Sequence, residues 1–451
     1  MEQADASPVP ARARGGAVRR TLRNAGWLLS GKGVGGVFSL IYLGLAARGL
    51  GLDDFGEFAL VLTFGQAVAS IAQFQTAELV IRYGTAHLAA ARLDRFSEIL
   101  GFAAILDALS ALGCVALSAA CALLMGGFVG LSEEEARTAA LFGASFLVSL
   151  RGAPLGVLRV LDRFDIAALS ETALPASRLV AAVLCYLAAP SVEGFLIAWA
   201  LAEFVTTIAV WSAAMIVLRR AQPGARVARP SLAAVAANNE GVWRFAWFTN
   251  FASAVSFLWQ HVGTLAVGWG AGPADAGAYR VAMQLAQSLS KPVVSLSRAA
   301  FPELAEAALR DGGKATARLV SKLSLLAGAL GLTAIVLVAV AGEWLLTLVV
   351  GPEFAFARNL LVLLTIAAAI EFWGFAQEPA MLALGRPGAV LAARAAVGVL
   401  YLGLLVGLLL GYGAAGAAVA TIIGRLVYRI AMTTMLAREK RLQSAATRRP
   451  I

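Results

Sequence analysis

The chain has 451 residues, 60% of them hydrophobic and only 14% charged, with a formal net charge of +10 and a mean hydropathy of +0.78. Soluble domains carry roughly a quarter of charged residues, so this composition excludes a soluble fold and indicates an integral membrane protein with many spans. The arginines sit in short loops between apolar stretches, which makes the charge a topology signal and argues against a nucleic-acid partner.

The first 25 residues contain Arg and Pro and lack the apolar region of a cleavable signal peptide, so the first span is expected to lead insertion. At about 20 residues per span, about twelve transmembrane helices are predicted. Their cores lie near 25–47, 56–81, 98–125, 138–160, 167–189, 194–218, 243–269, 277–302, 318–341, 355–384, 388–411 and 414–436. One set of loops carries Arg12, Arg14, Arg19, Arg20, Arg23, Arg92, Arg95, Arg159, Arg163, Arg219, Arg220, Arg226, Arg229, Arg310, Lys314, Arg386, Arg438, Lys440 and Arg441. The opposite loops hold little beyond Arg48, Arg137 and Arg358. By the positive-inside rule, both termini are expected in the cytoplasm of a cell bounded by this plasma membrane.

The loop from Arg219 to Gly241 is the longest polar interruption and divides the chain into repeating halves. GLGLDDFGEF at 49–58 aligns with GAGPADAGAY at 270–279, a shift of 221 that also pairs Gln66 with Gln287. PSVEGFLIA at 190–198 aligns with YGAAGAAVA at 412–420 at a shift of 222. Each half holds an even number of spans, so the copies share one orientation. Parallel repeats of this kind are related by a pseudo-twofold axis along the membrane normal, with the substrate site between them. The expected organisation is an N-terminal tail (1–24), a first six-helix lobe (25–218), an inter-lobe loop (219–242), a second six-helix lobe (243–436) and a C-terminal tail (437–451). The fold class is all-α and polytopic.

The segment 277–302 is apolar enough to span, yet Arg280, Gln284, Gln287, Lys291, Ser295 and Arg298 recur at helical steps on one face. A charge that meets lipid near mid-membrane costs at least about 2.5–3.5 kcal/mol, so this face must look into protein or a water-filled cavity. The shift of 221 places Gln66, Ser70 and Gln73 on the matching face of the second helix. In the seventh, Thr249, Ser253, Ser256, Gln260 and Gly263 form a stripe, matched in the first by a face that includes Lys32 and Ser39. Helices 1, 2, 7 and 8 are therefore expected to line a shared polar, basic passage.

The segment RGLGLDDFGEFALVLTFGQ after the first span resembles the bacterial polysaccharide flippase family, which carries a similar Leu-Gly-x-x-x-Phe-Gly-x-Phe pattern there. GPEFAFARNLLVLL at 351–364 resembles that family's Gly-x-x-Phe segment before the tenth span. The family belongs to the multidrug/oligosaccharidyl-lipid/polysaccharide exporter superfamily, whose members have twelve spans in two lobes around a central cavity. The resemblance implies an inner-membrane flippase that moves polyprenyl-pyrophosphate-linked oligosaccharide by alternating access for surface polysaccharide biosynthesis. It also implies membrane lipids, and polysaccharide polymerases and glycosyltransferases, as partners. A multidrug exporter of the same superfamily is the alternative, and a membrane glycosyltransferase or polymerase is the alternative from another class.

On that reading the substrate-binding cavity comprises Lys32, Lys291, Arg298, Gln284, Gln287, Gln260, Gln66 and Ser39, the cations holding the pyrophosphate. Lys291 could equally pair with Glu78 or Asp107, and Arg298 could reach the membrane interface. Asp107 and Glu78 are the candidates for coupling to a proton or sodium ion. Arg151, Arg178 and Arg394 have Glu171, Glu203 and Glu371 as available counter-charges, which favours structural ion pairs. His261 adjoins Gln260 but points about 100° away along the helix, as a packed histidine would. Asp53 and Asp54 resemble the acidic motifs of membrane glycosyltransferases, but Asp54 matches Asp275 in the repeat and capping accounts for both. Cys114, Cys121 and Cys185 lack metal-ligand spacing and fall within apolar stretches, as small core residues. No Walker motif or phosphate loop is found, so no catalytic activity, cofactor or metal is expected.

Overall fold

A computed structural model describes residues 12–129, 133–143, 145, 149–225, 227–228, 230–288, 313–384 and 386–446. Among the described residues the regular structure is entirely helical. In chain order it comprises α1 (Arg12–Ala72), α2 (Thr76–Leu79), a π turn (Val80–Gly84), α3 (Thr85–Ala89), α4 (Leu93–Val129), α5 (Glu133–Gly143), α6 (Gly152–Val160), α7 (Phe164–Ala188) and α8 (Val192–Ala221). A short α9 (Leu232–Asn238) leads to α10 (Val242–Ala271) and α11 (273–288), followed by α12 (Gly313–Val349). A 3-10 turn (Pro352–Ala357), α13 (Arg358–Gly374), α14 (Gln377–Ala383) and α15 (Pro387–Ala446) complete the chain.

Seven helical segments among the described residues are long and apolar enough to cross a membrane, and two of them run to 57 and 52 residues. Those two are about twice the length of one crossing. The backbone resolves the excess: α1 turns at Gly51 (φ 76°, ψ −170°) and α15 turns at Gly413 (φ 59°, ψ −147°). Left-handed φ values cost a side-chain-bearing residue 1–2 kcal/mol, which is why glycine stands at these hairpins. Gly272, the repeat partner of Gly51, turns the chain between α10 and α11 in nearly the same way (φ 92°, ψ 172°).

The helices pack as two lobes. In the first, α1 lies against α7, α7 against α8, and α4 against α5; in the second, α10 and α13 pack on α15, and α12 on α13. The hairpins at Gly51, Pro190, Gly272, Gly351 and Gly413 share one end of the bundle, called here the hairpin end. The opposite, basic end carries Arg92, Arg95, Arg159, Arg163, Arg219, Arg220 and Arg386.

The two ends are built differently. Toward the hairpin end a single apolar cluster runs through both lobes, joining Phe55, Phe58 and Phe195 to Tyr279, Phe354 and Leu361. Phe55 meets Phe354 edge-on at 5.5 Å. Gly56 and Gly277, which are repeat equivalents, meet across the seam: a Cβ on Gly277 would lie 3.0 Å from the Gly56 Cα, and one on Gly56 would overlap the Pro273 carbonyl. Arg48 donates from Nη2 to the carbonyls of Thr347 and Leu348 at 3.0 and 2.7 Å, capping α12 from the other lobe. Toward the basic end each lobe has its own cluster. Phe96, Leu100, Phe102 and Val157 belong to the first and Val320, Ala380, Val390 and Met432 to the second.

The connection between the lobes belongs to the first of them. Val235 of α9 is fully buried in the first lobe's basic-end cluster, as are Val242 and Ala246 at the start of α10. The Ala228 amide donates to the Ser97 carbonyl (3.4 Å), Asn238 donates to Glu98 (3.4 Å), His87 Nε2 lies 2.8 Å from Asn239 Oδ1, and Tyr83 donates to the Glu240 carbonyl (3.2 Å). Edge-on contacts of Phe102 with Trp243, Tyr83 with Phe245 and Phe74 with Trp247 continue this packing along α10.

Three of the expected spans are interrupted. The span expected over 56–81 breaks at 73–75, the one over 138–160 opens before Gly152, and the one over 355–384 is split at 375–376. Breaks within a span expose backbone groups that lipid cannot satisfy, so each needs partners from neighbouring helices. At 73–75 those partners are visible. Asn250 Nδ2 donates to the carbonyls of Ile71 (3.3 Å) and Gln73 (2.8 Å), and the Phe74 amide donates to Ser110 Oγ (3.1 Å).

Candidate functional site

A cavity of about 420 Å³ lies between the lobes, within the range of small-ligand pockets, about 300–1,000 Å³. From the first lobe it takes Gln66, Ala69 and Ser70 on α1, Gln73 and Gln75 in the helix break, Ser149 and Arg151 before α6, and Glu203 on α8. From the second it takes Ser253, Gln260 and His261 on α10 with Arg280, Met283, Gln284 and Gln287 on α11. Gln75 Nε2 donates to Ser253 Oγ at 2.9 Å and closes one side.

Four of the sequence-predicted site residues, Gln66, Gln260, Gln284 and Gln287, come together in this lining. Ser39 does not: its hydroxyl donates to the Gly35 carbonyl one turn back (2.7 Å). Lys291, Arg298 and the side chain of Lys32 lie outside the described residues. The expected four-helix lining is therefore altered. The described part of the first expected span (25–47) contributes nothing, and the segment before α6 together with α8 supplies Ser149, Arg151 and Glu203.

Arg280 is the charge that dominates the wall. Its Nη2 donates to Gln66 Oε1 (2.9 Å) and its Nη1 to Thr63 Oγ1 (3.3 Å), both across the inter-lobe seam. Nη1 also lies 3.4 Å from His261 Nδ1. A guanidinium can only donate, so this contact requires Nδ1 to be the unprotonated nitrogen and the imidazole to be neutral. All three partners are uncharged, and two of the five N–H groups of Arg280 have no bond to a described residue. The helical stripe on 277–302 contained Arg280, but its position two turns from the hairpin hid its reach into the cavity. His261 packs, as expected, yet it also faces the site.

The other charges are paired. Glu203 accepts from Arg151 Nη2 at 2.6 Å and from Arg178, whose guanidinium also stacks on Trp199 with Cζ 3.3 Å from the ring centre. The counter-charges of the second lobe differ from those expected. Arg394 pairs with Glu378 (2.6 Å), which Tyr428 also contacts, and Glu371 pairs with Arg425. The side chain of Glu171 lies outside the described residues. Of the coupling candidates, Glu78 is exposed and Asp107 is buried. Asp107 accepts from Thr76 Oγ1 (2.5 Å) and from the Ala153 amide (2.9 Å), so its carboxylate caps α6 and ties it to α2. Asp53 and Asp54 are exposed at the hairpin. Among the described residues no group of His, Cys, Asp and Glu is arranged to hold a metal.

Residues 21–308 match the family model described as polysaccharide biosynthesis protein. The chain belongs to that family. The inner membrane protein YghQ of Escherichia coli strain K12 is 30% identical to this chain over 350 residues, covering 77% of this chain and 97% of the relative. Among solved structures, the inward-facing conformation of a multidrug resistance MATE family transporter superposes with a TM-score of 0.73 at 14% identity over 90% of this chain and 96% of the other. The inward closed conformation of lipid II flippase MurJ superposes with a TM-score of 0.68 at 13% identity, over 91% of this chain and 87% of the other. These likenesses show that the chain shares the two-lobe fold of those structures. The chain is a multi-pass membrane protein of the polysaccharide biosynthesis family, with seven helical segments among the described residues long and apolar enough to cross a membrane.

Proposed function

We propose that the protein is a flippase for polyprenyl-diphosphate-linked oligosaccharide, carrying the charged head group through the inter-lobe cavity by alternating access while the polyprenyl tail stays in lipid. Arg280 carries this reading: a cation in the cavity wall whose described partners are all neutral. Such a group is costly to keep in a membrane protein, and an anionic substrate is what would offset that cost. Arg151 and Arg280 outnumber Glu203 in the lining, and Glu203 is committed to two arginines. A cavity meant for cationic drugs would offer a free carboxylate instead. The likeness in fold to lipid II flippase MurJ supports a lipid-linked substrate. Lys32, Lys291 and Arg298 are proposed to extend the basic surface toward the basic end, which we place in the cytoplasm with both termini. The halves 25–218 and 243–436 are proposed as the moving lobes.

The test is complementation of a strain lacking its oligosaccharide flippase, with membrane protein levels measured alongside. Arg280→Gln should abolish glycan export at normal protein level, and Arg280→Lys should retain part of it, because a diphosphate accepts either cation. Normal export by Arg280→Gln would refute the reading.

A further inference from the structure

We infer that Arg280 is also a latch between the lobes, and that an anion bound in the cavity releases it; this rests on the anionic-substrate reading above. Arg280 stands on α11, in the second lobe, two turns from the Gly272 hairpin. Thr63 and Gln66, which accept its hydrogen bonds, stand on α1 in the first. These bonds therefore cross the same seam that Gly56 and Gly277 close by direct contact. They lie on its cavity side.

The lobes have other polar ties, and these lie elsewhere: Gln75 with Ser253, and Asn250 with Ile71 and Gln73, join them on the basic-end side of the cavity. Arg48 binds carbonyls at the tip of α12 and is exposed at the hairpin end. Among the described ties, Arg280 supplies a charged donor that lines the cavity on its hairpin side. An amide oxygen and a hydroxyl are neutral acceptors. Phosphate oxygens are charged, shorten the bond and roughly double its strength, and accept two parallel N–H groups from one guanidinium. A diphosphate in the cavity thus competes directly with Gln66 and Thr63 for the same N–H groups. When it wins, the lobes lose this cross-link on the hairpin side while the ligand gains one. Bonds to a charged group of this kind shift an equilibrium roughly ten- to hundredfold. A ligand that binds only the released arrangement shifts the population toward it by its differential affinity. Occupancy then favours parting of the hairpin end, and an empty cavity keeps that end shut.

Spin labels at Pro190→Cys and Tyr412→Cys report the opening. Both positions are exposed at the hairpin end, on opposite lobes and at equivalent places in the repeat. Cys114, Cys121 and Cys185 are replaced by alanine in the background. Distances are measured by pulsed electron spin resonance on the full-length protein in nanodiscs. Samples contain inorganic pyrophosphate, or chloride at equal ionic strength, and pyrophosphate binding is measured in parallel by calorimetry.

Pyrophosphate should lengthen the distance in the parent protein. Gln66→Leu should lengthen it without any ligand. Gln66→Glu, which replaces a neutral acceptor with a charged one, should hold it short and blunt the response at least tenfold in ligand concentration. Arg280→Gln should be insensitive to pyrophosphate. If pyrophosphate binds and the distance stays the same, the latch is overturned and the anionic-substrate reading stands. If the parent protein does not bind pyrophosphate, that reading falls and the trigger falls with it. Identical ligand-free distances in the parent, Gln66→Leu and Gln66→Glu proteins would overturn the latch irrespective of ligand.

Discussion

Glu203 on α8 and Arg425 on α15 stand 222 positions apart, the offset that aligns the start of their two helices, and carry opposite charges into matching ion pairs. Glu203 receives Arg151, 52 residues earlier, and Arg425 gives to Glu371, 54 residues earlier. Each lobe thus ties its last helix to its fourth by one charge pair, with the polarity reversed. The burial differs: the Glu203 side chain is 7% exposed and that of Glu371 is 60%.

That difference predicts unequal costs. Glu203→Gln strands two arginines in the first lobe, and breaking a buried pair costs about 3–5 kcal/mol. Glu371→Gln removes a largely exposed carboxylate, for which about 1 kcal/mol is expected. Thermal unfolding followed by fluorescence-detected size exclusion should show a drop of several degrees for Glu203→Gln and a smaller one for Glu371→Gln. The reverse order would show that the second lobe depends more on its pair than the first.

Asn250 holds the helix break at 73–75 with one amide group shared between two carbonyls. Asn250→Leu leaves both without that donor, at about 1–3 kcal/mol for a buried unsatisfied group. Proteolysis or hydrogen exchange over 70–76 should speed up in this variant, while exchange within α13 stays as it was. Uniform loss of protection would mean that the whole fold, not the break, depends on Asn250.

Much of this arrangement can be read from residue order, and the reasons for the gaps are physical. Hydropathy and arginine placement mark the helices because lipid penalises charge wherever it falls. The 221 repeat marks Gly51 with Gly272 and Gly56 with Gly277 because hairpin geometry and close approach both demand glycine. The break at Gln73-Phe74-Gln75 has no Gly or Pro to announce it; it exists because Asn250 and Ser110, far away in sequence, satisfy its backbone. Ion-pair partners were equally hidden. Glu371 lies 23 residues before Arg394 but pairs with Arg425, since partner choice depends on which helix faces which. Arg280 appeared in the polar stripe, but its role depends on side-chain reach across the seam, which periodicity does not encode.

The seam glycines allow little else. A Cβ at Gly277 meets the Gly56 backbone and the buried Phe55 ring of the other lobe, so neither lobe can yield without moving. Gly277→Val should part the hairpin end and lower the protein level in membranes, whereas Gly403→Val on α15, where a Cβ would find open space, should leave it unchanged. Quantitative blotting of membrane fractions distinguishes the two, and equal levels would mean the seam is not closed in the cell.

Lys291 continues the face of Arg280, Gln284 and Gln287. Lys291→Ala and Lys291→Glu should abolish glycan export with the protein still in the membrane, and Lys291→Arg should keep much of it. Complementation with protein levels measured is the check. Normal export with reduced expression in Lys291→Ala would mark Lys291 as a structural ion-pair partner.

The packing of the inter-lobe connection against the first lobe has a consequence for how the protein is made. Once the ribosome has passed Ala246, every residue of the first lobe's basic-end core has been synthesised, including the Val235 plug and the first turn of α10. Domains fold as units during synthesis, earlier ones first. The first lobe can therefore seal itself at this end before α12, α14 and α15, which hold the second lobe's separate core, have been translated. The second lobe is then assembled against a finished wall, with α10 already anchored as its starting post.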